Sequence, residues 1–200
     1  MTFPTVDVQV SQTMNGMLQR SAVPIAASPT VYLMRGLPSS GKSSYARQLA
    51  GENGVICETD QFLRKSTGDD GDGVTMSKAR QANFEEFCRN VELKRTPIVV
   101  DRGNGLNEET YIYVNFARKH GYRIELVEPN TPWWQEIRTL LRYRPHTDDI
   151  LRSWATELAR LNKRTHSVSE KTILDWLDGW IADLSVEELL EHADEYERSQ

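Results

Sequence analysis

A glycine-rich loop near the start of the chain constrains the fold more than any other feature of the sequence. The segment Gly36-Leu37-Pro38-Ser39-Ser40-Gly41-Lys42-Ser43 has two glycines five residues apart followed by Lys and Ser, the pattern of a phosphate-binding loop. It follows the apolar run 31–35 and precedes residues 42–50, whose composition suits a helix. Because glycine has no Cβ atom, such a loop can curl until backbone N–H groups and the helix N-terminus point at phosphate oxygens.

The loop predicts a nucleotide polyphosphate and a divalent metal as ligands. We expect Lys42 to bridge the β- and γ-phosphates of ATP and Ser43 to hold Mg²⁺. An ordinary Gly-Ser turn that caps a helix is the alternative. The residues predicted to contact ATP are Gly36, Pro38, Ser39, Ser40, Gly41, Lys42, Ser43 and Ser44.

Strand-like and helix-like segments alternate after the loop. Further strands are expected at 54–57, 97–101 and 122–127, with helices at 77–94 and 107–119 between them. Strands that alternate with helices of 10 to 20 residues are joined by right-handed crossovers into a parallel sheet. The sequence therefore predicts an α/β P-loop NTPase fold, with three αβα layers, a mostly parallel sheet, a helical lid and C-terminal helices.

Two acidic residues that follow predicted strands are candidates for chemistry. Asp60 lies past the second strand, at the edge where parallel strands line a ligand crevice, and could accept a proton from an attacking hydroxyl. A helix cap or turn is its alternative role. Asp101 ends an apolar run, as a metal-orienting acid does, although an acid before Gly103 is also typical of a turn. Arg64 is either a ligand of a substrate phosphate or a surface arginine.

Charge divides the chain into unequal regions. The net charge is −5, but residues 183–200 hold seven acids and one arginine, whereas residues 138–164 hold seven bases and three acids. We predict an irregular N-terminal arm (1–29), one domain (30–182) with a basic helical lid at about 135–168, and an acidic C-terminal helix or tail (183–200). A solvated helical face is the alternative reading of the basic segment.

Cysteine content and hydropathy indicate the compartment. Two cysteines, Cys57 and Cys88, are too few for a disulfide framework and are expected to be reduced thiols without a disulfide-linked partner. No run of about 18 apolar residues is present, so no membrane contact is expected. A cytoplasmic location follows as the expectation.

Several motifs together resemble one known family. The motifs are GLPSSGKSS, ICETDQF, IVVDRGN, ARKHGYRIELVEPNTPWW and THSVSEKTI, which extend from about Val31 to Trp180. The chain resembles the polynucleotide-kinase-type P-loop kinases, and within them the kinase module of the NEDD-four-binding proteins and their bacterial relatives. In that family Asn and Thr usually follow the acid at the Asp101 position; here Arg102 and Gly103 stand there, and Asn104 is kept.

The resemblance implies ATP-dependent phosphorylation of a 5′-hydroxyl on RNA or DNA. It makes Asp60 the general base, places Lys163 and Arg164 on a catalytic lid, and makes Asn104 a substrate-binding candidate.

Three functions remain open from the sequence. In the first, a nucleic-acid 5′-kinase, the arginines of the basic arm track backbone phosphates; the candidates are Arg138, Arg142 and Arg144. In the second, a small-molecule kinase, the arm is only a lid. The third is a non-catalytic, nucleotide-dependent binding module, which the change to Arg102-Gly103 makes conceivable.

Overall fold

The computed structural model describes residues 28–65, 75–163 and 168–200. The predicted N-terminal arm falls outside the described residues except for its last two positions. Arg164 of the predicted lid also lies outside them.

The described residues form four strands and eight helices. The strands are β1 (Thr30–Met34), β2 (Val55–Glu58), β3 (Ile98–Asp101) and β4 (Arg123–Val127). The helices are α1 (Lys42–Ala50), α2 (Asp60–Lys65), α3 (Met76–Glu92), α4 (Glu108–Lys119), α5 (Pro132–Arg142), α6 (Asp148–Asn162), α7 (Glu170–Asp178) and α8 (Val186–Ser199).

Local sequence explains where several helices begin. The side chains of Thr75, Asn107, Ser169 and Ser185 each accept a hydrogen bond from the backbone N–H three residues later, which satisfies a donor that a helix N-terminus leaves open. Pro132 begins α5, the position where its missing N–H costs nothing. These caps fix the helix boundaries that flank the carboxyl edge of the sheet.

The sheet is parallel throughout, in the order β2-β3-β1-β4. Val31 on the central strand β1 is in register with Ile98 of β3 and Ile124 of β4. Glu58, at the end of β2, is in register with Asp101. The carboxyl ends of β1, β2 and β3 therefore meet at one edge, and the predicted α/β fold class is confirmed.

Alternate residues of the strands pack against helices on the two faces of the sheet. Leu33 and Val100 lie in the largest core cluster, together with buried side chains of α3, α4 and α8. Met34 and Val99 face the other way and pack with Ala46 of α1. This alternation is the period-2 pattern of a sheet covered on both faces, so the molecule has three layers.

Helix α8 belongs to the main core. Its Leu189 and Ala193 are fully buried in the largest cluster. Its acidic side chains also meet basic side chains of α4, with ion pairs Arg118–Asp194 and Lys119–Glu197. The acidity of the C-terminal segment thus complements the basic end of the helix on which it packs.

The basic segment forms a helical subdomain with a core of its own. Helices α5, α6 and α7 bury Trp134, Ile137, Leu158 and Ile173 in one cluster, and Leu37 of the phosphate loop joins it. The predicted lid is therefore attached directly to the loop.

Within the described residues, no helix has both the length and the apolar character needed to cross a membrane.

Candidate active site

A cavity of about 920 Å³ opens at the carboxyl edge of the sheet, a volume typical of a small-molecule site. The phosphate loop lines one part of it, and residues that follow β2 and β3 line another. Apolar side chains of the C-terminal third complete the wall: Leu161, Val168, Trp176, Trp180, Ile181 and Leu184.

The phosphate loop is tightly curled. Gly36 and Gly41 have φ values of 143° and 98°, which side-chain-bearing residues rarely adopt. A Cβ atom on Gly36 would lie 2.5 Å from Ser40 Oγ, and one on Gly41 would lie 2.7 Å from the Thr131 methyl carbon. Thr131 Oγ1 and Trp133 Nε1 donate hydrogen bonds to loop carbonyls, at 2.9 and 3.2 Å. The start of α5 therefore fixes the loop from outside.

Lys42 is held at the loop by two hydrogen bonds. Its Nζ donates to the carbonyl oxygens of Gly36 and Leu37, each at 2.9 Å. Burial lowers the pKa of Lys42 to about 8, while the negative charges of Asp101 and Asp60 act in the opposite direction. An ammonium group has three N–H donors, so one remains for a ligand in the cavity.

Asp101 is a nearly buried carboxylate at the end of β3, 6% exposed. The Ser43 hydroxyl donates a hydrogen bond to it. Burial raises the pKa of Asp101, and the charges of Glu58 and Asp60 raise it further, whereas Ser43 and Lys42 lower it. Asp101 thus sits among like charges that a cation would relieve.

The residues at this position fit a nucleotide phosphate with Mg²⁺. Cβ atoms at Gly36 and Gly41 would collide with Ser40 and Thr131, so the tight curl typical of a phosphate-binding loop requires glycine at both positions. The oxygens of Ser43 and Asp101 are hard ligands, and Mg²⁺ is usually bound by one or two protein oxygens together with phosphates. The predicted ATP and Mg²⁺ ligands are therefore chemically compatible with this site.

Asp60 is brought to the same cavity. It is the first residue of α2 and lines the cavity wall. Its charge affects the pKa of both Lys42 and Asp101. The structure therefore brings Asp60, Asp101 and the phosphate-loop residue Lys42 to one cavity.

Not every residue of the loop faces the cavity. Pro38, Ser39 and Ser44 line it, but Ser40 is fully buried and does not. The backbone N–H of Ser40 donates to the Leu37 carbonyl at 3.2 Å, so it is used within the loop. The side chain of Ser40 is therefore not exposed to the cavity, and its predicted contact with ATP stays a prediction.

Asn104 lines the cavity but mainly ties strands together. Its Nδ2 donates to the carbonyl oxygens of Met34 and Val100, at 2.8 and 3.0 Å. The side chain is 3% exposed, and its Oδ1 has no hydrogen-bond partner among the described residues. Asn104 therefore fixes the ends of β1 and β3 beside the loop. Arg64 lies on α2, and its side chain is outside the described part of the structure.

The three arginines predicted to contact a polynucleotide do not reach the cavity. Each is paired with acids inside the chain: Arg138 with Glu128 at 2.8 Å, Arg142 with Asp183 at 2.9 Å, and Arg144 with Asp148 and Asp178, both at 2.7 Å. Each of the three arginines therefore has an acidic partner within the chain, although Arg138 shares Glu128 with Arg35, and Arg144 joins α6 to α7. Lys163 is exposed at the end of α6 and is not part of the cavity wall.

Sequence reasoning missed a buried cluster beside the loop. Arg35, 4% exposed, pairs with Glu128 at 3.2 Å and lies over the Trp180 ring at 4.5 Å. It also donates to the Ile181 carbonyl at 2.8 Å. The cluster holds the segment after α7 against the cavity. Its only signal in the sequence is an arginine at the end of an apolar run, directly before Gly36.

Comparison with known proteins places this site in a family. A family model described as an AAA domain matches residues 31–178. The chain therefore belongs to this family of AAA domains, and its phosphate loop and parallel sheet define a P-loop nucleotide-binding fold.

Several known proteins are similar to this chain in sequence. Human NEDD4-binding protein 2 is 33% identical over 156 residues, which cover 77% of this chain and 8% of that protein. The match confirms the resemblance drawn from the motifs. The 2′,3′-cyclic-nucleotide 3′-phosphodiesterases of Rattus norvegicus and Pongo abelii are 26% and 27% identical, over 82% and 52% of this chain.

The chain spans only part of each relative, namely 8% of the human protein, 37% of the rat protein and 25% of the Pongo abelii protein. Among solved structures, a chain from the PezAT chromosomal toxin–antitoxin system of Streptococcus pneumoniae matches with a TM-score of 0.40 and 14% identity, covering 87% of both chains.

Proposed function

We propose that this chain is a Mg²⁺- and ATP-dependent phosphotransferase that moves the γ-phosphate of ATP to a hydroxyl group, with a polynucleotide 5′-hydroxyl as the leading acceptor. One observation carries the proposal: Lys42, Asp60 and the hydrogen-bonded pair Ser43–Asp101 line one cavity. A binding module without catalysis would need the loop, and a helix cap is the alternative role of Asp60, the first residue of α2.

The phosphate loop and Lys42 bind and orient the triphosphate. The remaining N–H donor of Lys42 and the loop amides neutralise charge on the transferring phosphoryl group, and positioning of this kind supplies most of the catalysis in phosphoryl transfer. Mg²⁺, when bound, supplies further charge neutralisation, and Ser43 and Asp101 are the residues that would hold it.

Asp60 acts as the general base in this proposal. The O–H bond of the acceptor breaks, and its proton passes to the Asp60 carboxylate. The acceptor oxygen forms a bond to the γ-phosphorus while the bond to the β-phosphate oxygen breaks, and ADP leaves. Because Asp60 begins α2 and lines the same cavity as Lys42, its carboxylate is the proposed acceptor of this proton.

The nature of the acceptor is supported by relatives. The chain resembles polynucleotide-kinase-type kinases, and the names of two relatives refer to cyclic nucleotides as substrates. Both facts favour an acceptor built from nucleotides.

A small-molecule kinase is the second candidate. The observation that favours it is the pairing of Arg138, Arg142 and Arg144 with acids of the same chain. These ion pairs occupy the three arginines that were the candidates for contact with a polynucleotide backbone.

A transfer assay tests the proposal. ATP labelled at the γ-phosphate is offered with 5′-hydroxyl RNA, 5′-hydroxyl DNA and small alcohols, each with wild type and Lys42→Ala. We expect label on an oligonucleotide 5′ end with wild type and none with Lys42→Ala, because the variant cannot neutralise the transferring group. Transfer to small alcohols alone would favour the second candidate. Wild-type turnover in a folded Lys42→Ala protein would contradict the role of the loop.

A further inference from the structure

One face of α3 packs against the core, and one residue of that face is polar. The buried residues of α3 follow one another at intervals of four: Ala79, Asn83, Phe87 and Val91. Asn83 is fully buried, and its Oδ1 has no hydrogen-bond partner among the described residues. A leucine at this position would avoid the cost of burying an amide, so packing alone does not account for Asn83.

The amide nitrogen of Asn83 contacts two neighbouring elements. Its Nδ2 donates to the Tyr113 hydroxyl of α4 at 3.1 Å and to the Thr59 hydroxyl, between β2 and α2, at 3.4 Å. Thr59 directly precedes Asp60, and the Thr59 carbonyl accepts a hydrogen bond from the Phe62 N–H at 3.1 Å. Asn83 therefore holds the first turn of α2, the turn that carries the proposed base.

A second side-chain contact joins the same two helices. Nε2 of Gln61, the residue after Asp60, donates to Glu86 of α3 at 2.9 Å. Helix α2 has only six residues, and a helix this short has little stability of its own. The position of α2 therefore depends on its contacts with α3.

The Tyr113 hydroxyl extends the hydrogen-bond network to the end of β3. It accepts a hydrogen bond from Arg102, which directly follows Asp101, and the Arg102 guanidinium lies 5.7 Å from the centroid of the Tyr113 ring. Burial raises the pKa of Tyr113 to about 12, so the phenol stays neutral. Strands β2 and β3 end side by side. The network therefore links the two strand ends beside which Asp60 and Asp101 lie.

We propose that Asn83 is a positioning residue for the Asp60 carboxylate. Through Thr59 and Tyr113 it fixes the start of α2 relative to the end of β3. The inference rests on the proposed function, which it deepens. Asn83 and Tyr113 do not line the cavity, so they act through residues that do. A catalytic group displaced by about 1 Å can lose about 10²-fold in rate, and Asn83 prevents such a displacement.

Single-turnover transfer of the γ-phosphate to a 5′-hydroxyl oligonucleotide, with ATP affinity measured beside it, tests the proposal. Asn83→Leu should slow transfer by about tenfold or more and leave ATP affinity within about twofold of wild type, because the phosphate loop is untouched. Tyr113→Phe keeps the ring and removes the shared oxygen, so it should also slow transfer. Transfer at the wild-type rate in Asn83→Leu would overturn the proposal.

Asn115→Leu is the matched control. Asn115 of α4 also buries an amide oxygen that has no partner among the described residues, and its Nδ2 donates to the Ala193 carbonyl of α8 at 2.9 Å. It does not line the cavity. Asn115→Leu should therefore transfer phosphate at the wild-type rate, and a loss equal to that of Asn83→Leu would overturn the proposal.

The double variant Asn83→Leu with Asp60→Asn separates positioning from a general disturbance of the fold. If Asn83 acts through the Asp60 carboxylate, Asn83→Leu should slow the residual transfer of Asp60→Asn by less than about twofold, since no base remains to be positioned. An equal loss in both backgrounds would overturn the proposal. Tyr113→Phe replaces Asn83→Leu in this comparison if Asn83→Leu does not fold.

Hydrogen exchange tests the contact without requiring catalysis. We expect the Phe62 amide, in the turn that Thr59 begins, to exchange at least about threefold faster in Asn83→Leu than in wild type, and at the wild-type rate in Asn115→Leu. Unchanged exchange in Asn83→Leu would overturn the proposal. Faster exchange, found together with no transfer to any hydroxyl by wild type, would support the contact and contradict the proposed function.

Discussion

Lys42 carries a charge whose loss can be measured. Its pKa is lowered to about 8 by burial, so the free protein loses this positive charge as the pH rises through about 8. We therefore expect ATP affinity to fall between pH 7 and 10, since ATP keeps its charge over this range while its lysine partner becomes neutral. Fluorescent ATP-analogue titrations over this range measure the effect.

Lys42→Met is the control for this pH dependence. It should bind ATP weakly at every pH, because no titrating ammonium group remains at the loop. A wild-type affinity that stays constant from pH 7 to 10 would contradict the expected titration of Lys42. A pH-dependent affinity in Lys42→Met would assign the titration to another group.

Gly41 tests the loop itself at the level of a single residue. Gly41→Ala would place a Cβ atom 2.7 Å from the Thr131 methyl carbon, at a φ of 98° that alanine rarely adopts. We expect at least tenfold weaker ATP binding, with a fold unchanged by circular dichroism. The matched change Gly51→Ala has a positive φ of 57° but no atom within 4 Å, so it should retain ATP affinity. Equal affinity in the two variants would show that the curl of the loop is unimportant.

At the scale of helices, the arginines of α5 give a quantitative expectation. Arg138 and Arg142 already form ion pairs with Glu128 and Asp183, so Arg138→Gln with Arg142→Gln should change the slope of log K against log salt by less than about 0.5 for a single-stranded oligonucleotide. Each lost phosphate contact is worth about 0.7 units.

Oligonucleotide binding across a salt series, with the double variant beside wild type, measures this slope. A larger change in the α5 pair would return the basic arm to the nucleic-acid interface.

The sequence predicted the elements that depend on local patterns. Gly36, Gly41 and Lys42 identify the loop by spacing, and the segment predicted as helix 42–50 has the observed bounds of α1. The helix α2 was not predicted, because its six residues are too few to show a helical period. Asp60 was nevertheless placed correctly at the cavity, because position after a strand is enough in a parallel sheet.

Long-range pairing is what the sequence could not predict. Arg142 forms an ion pair with Asp183, which lies 41 residues later in the sequence. Arg35 forms an ion pair with Glu128 only because β1 and β4 are neighbouring strands. A basic run therefore predicted a nucleic-acid contact, although tertiary structure pairs Arg138, Arg142 and Arg144 with acids of the same chain. Arg102 was noted only as a departure from a family pattern, since Glu109 and Arg80 reach it through the fold.

At the scale of the whole molecule, α8 should be required for stability. Leu189 is fully buried in the main core cluster, and removing such a side chain costs about 2–5 kcal/mol. Leu189→Ala should therefore lower the free energy of unfolding by that amount in urea titrations. Glu191→Ala on the exposed face of α8 is the control and should stay within about 0.5 kcal/mol of wild type. Equal stability of the two variants would mean that residues 183–200 are a dispensable tail.

The chemistry of the whole site depends on Asp60, and Asp60→Asn tests it most directly. The measurement is the single-turnover rate of γ-phosphate transfer to a 5′-hydroxyl oligonucleotide, together with ATP affinity, for wild type, Asp60→Asn and the exposed control Asp175→Asn. We predict that Asp60→Asn slows transfer by about 10² or more while ATP affinity stays within a few-fold of wild type, since general bases typically contribute 10²–10⁴. Asp175→Asn should match wild type in both. Transfer at the wild-type rate in Asp60→Asn, or the absence of transfer to any hydroxyl by wild type with Mg²⁺ and ATP, would contradict the proposed phosphotransferase.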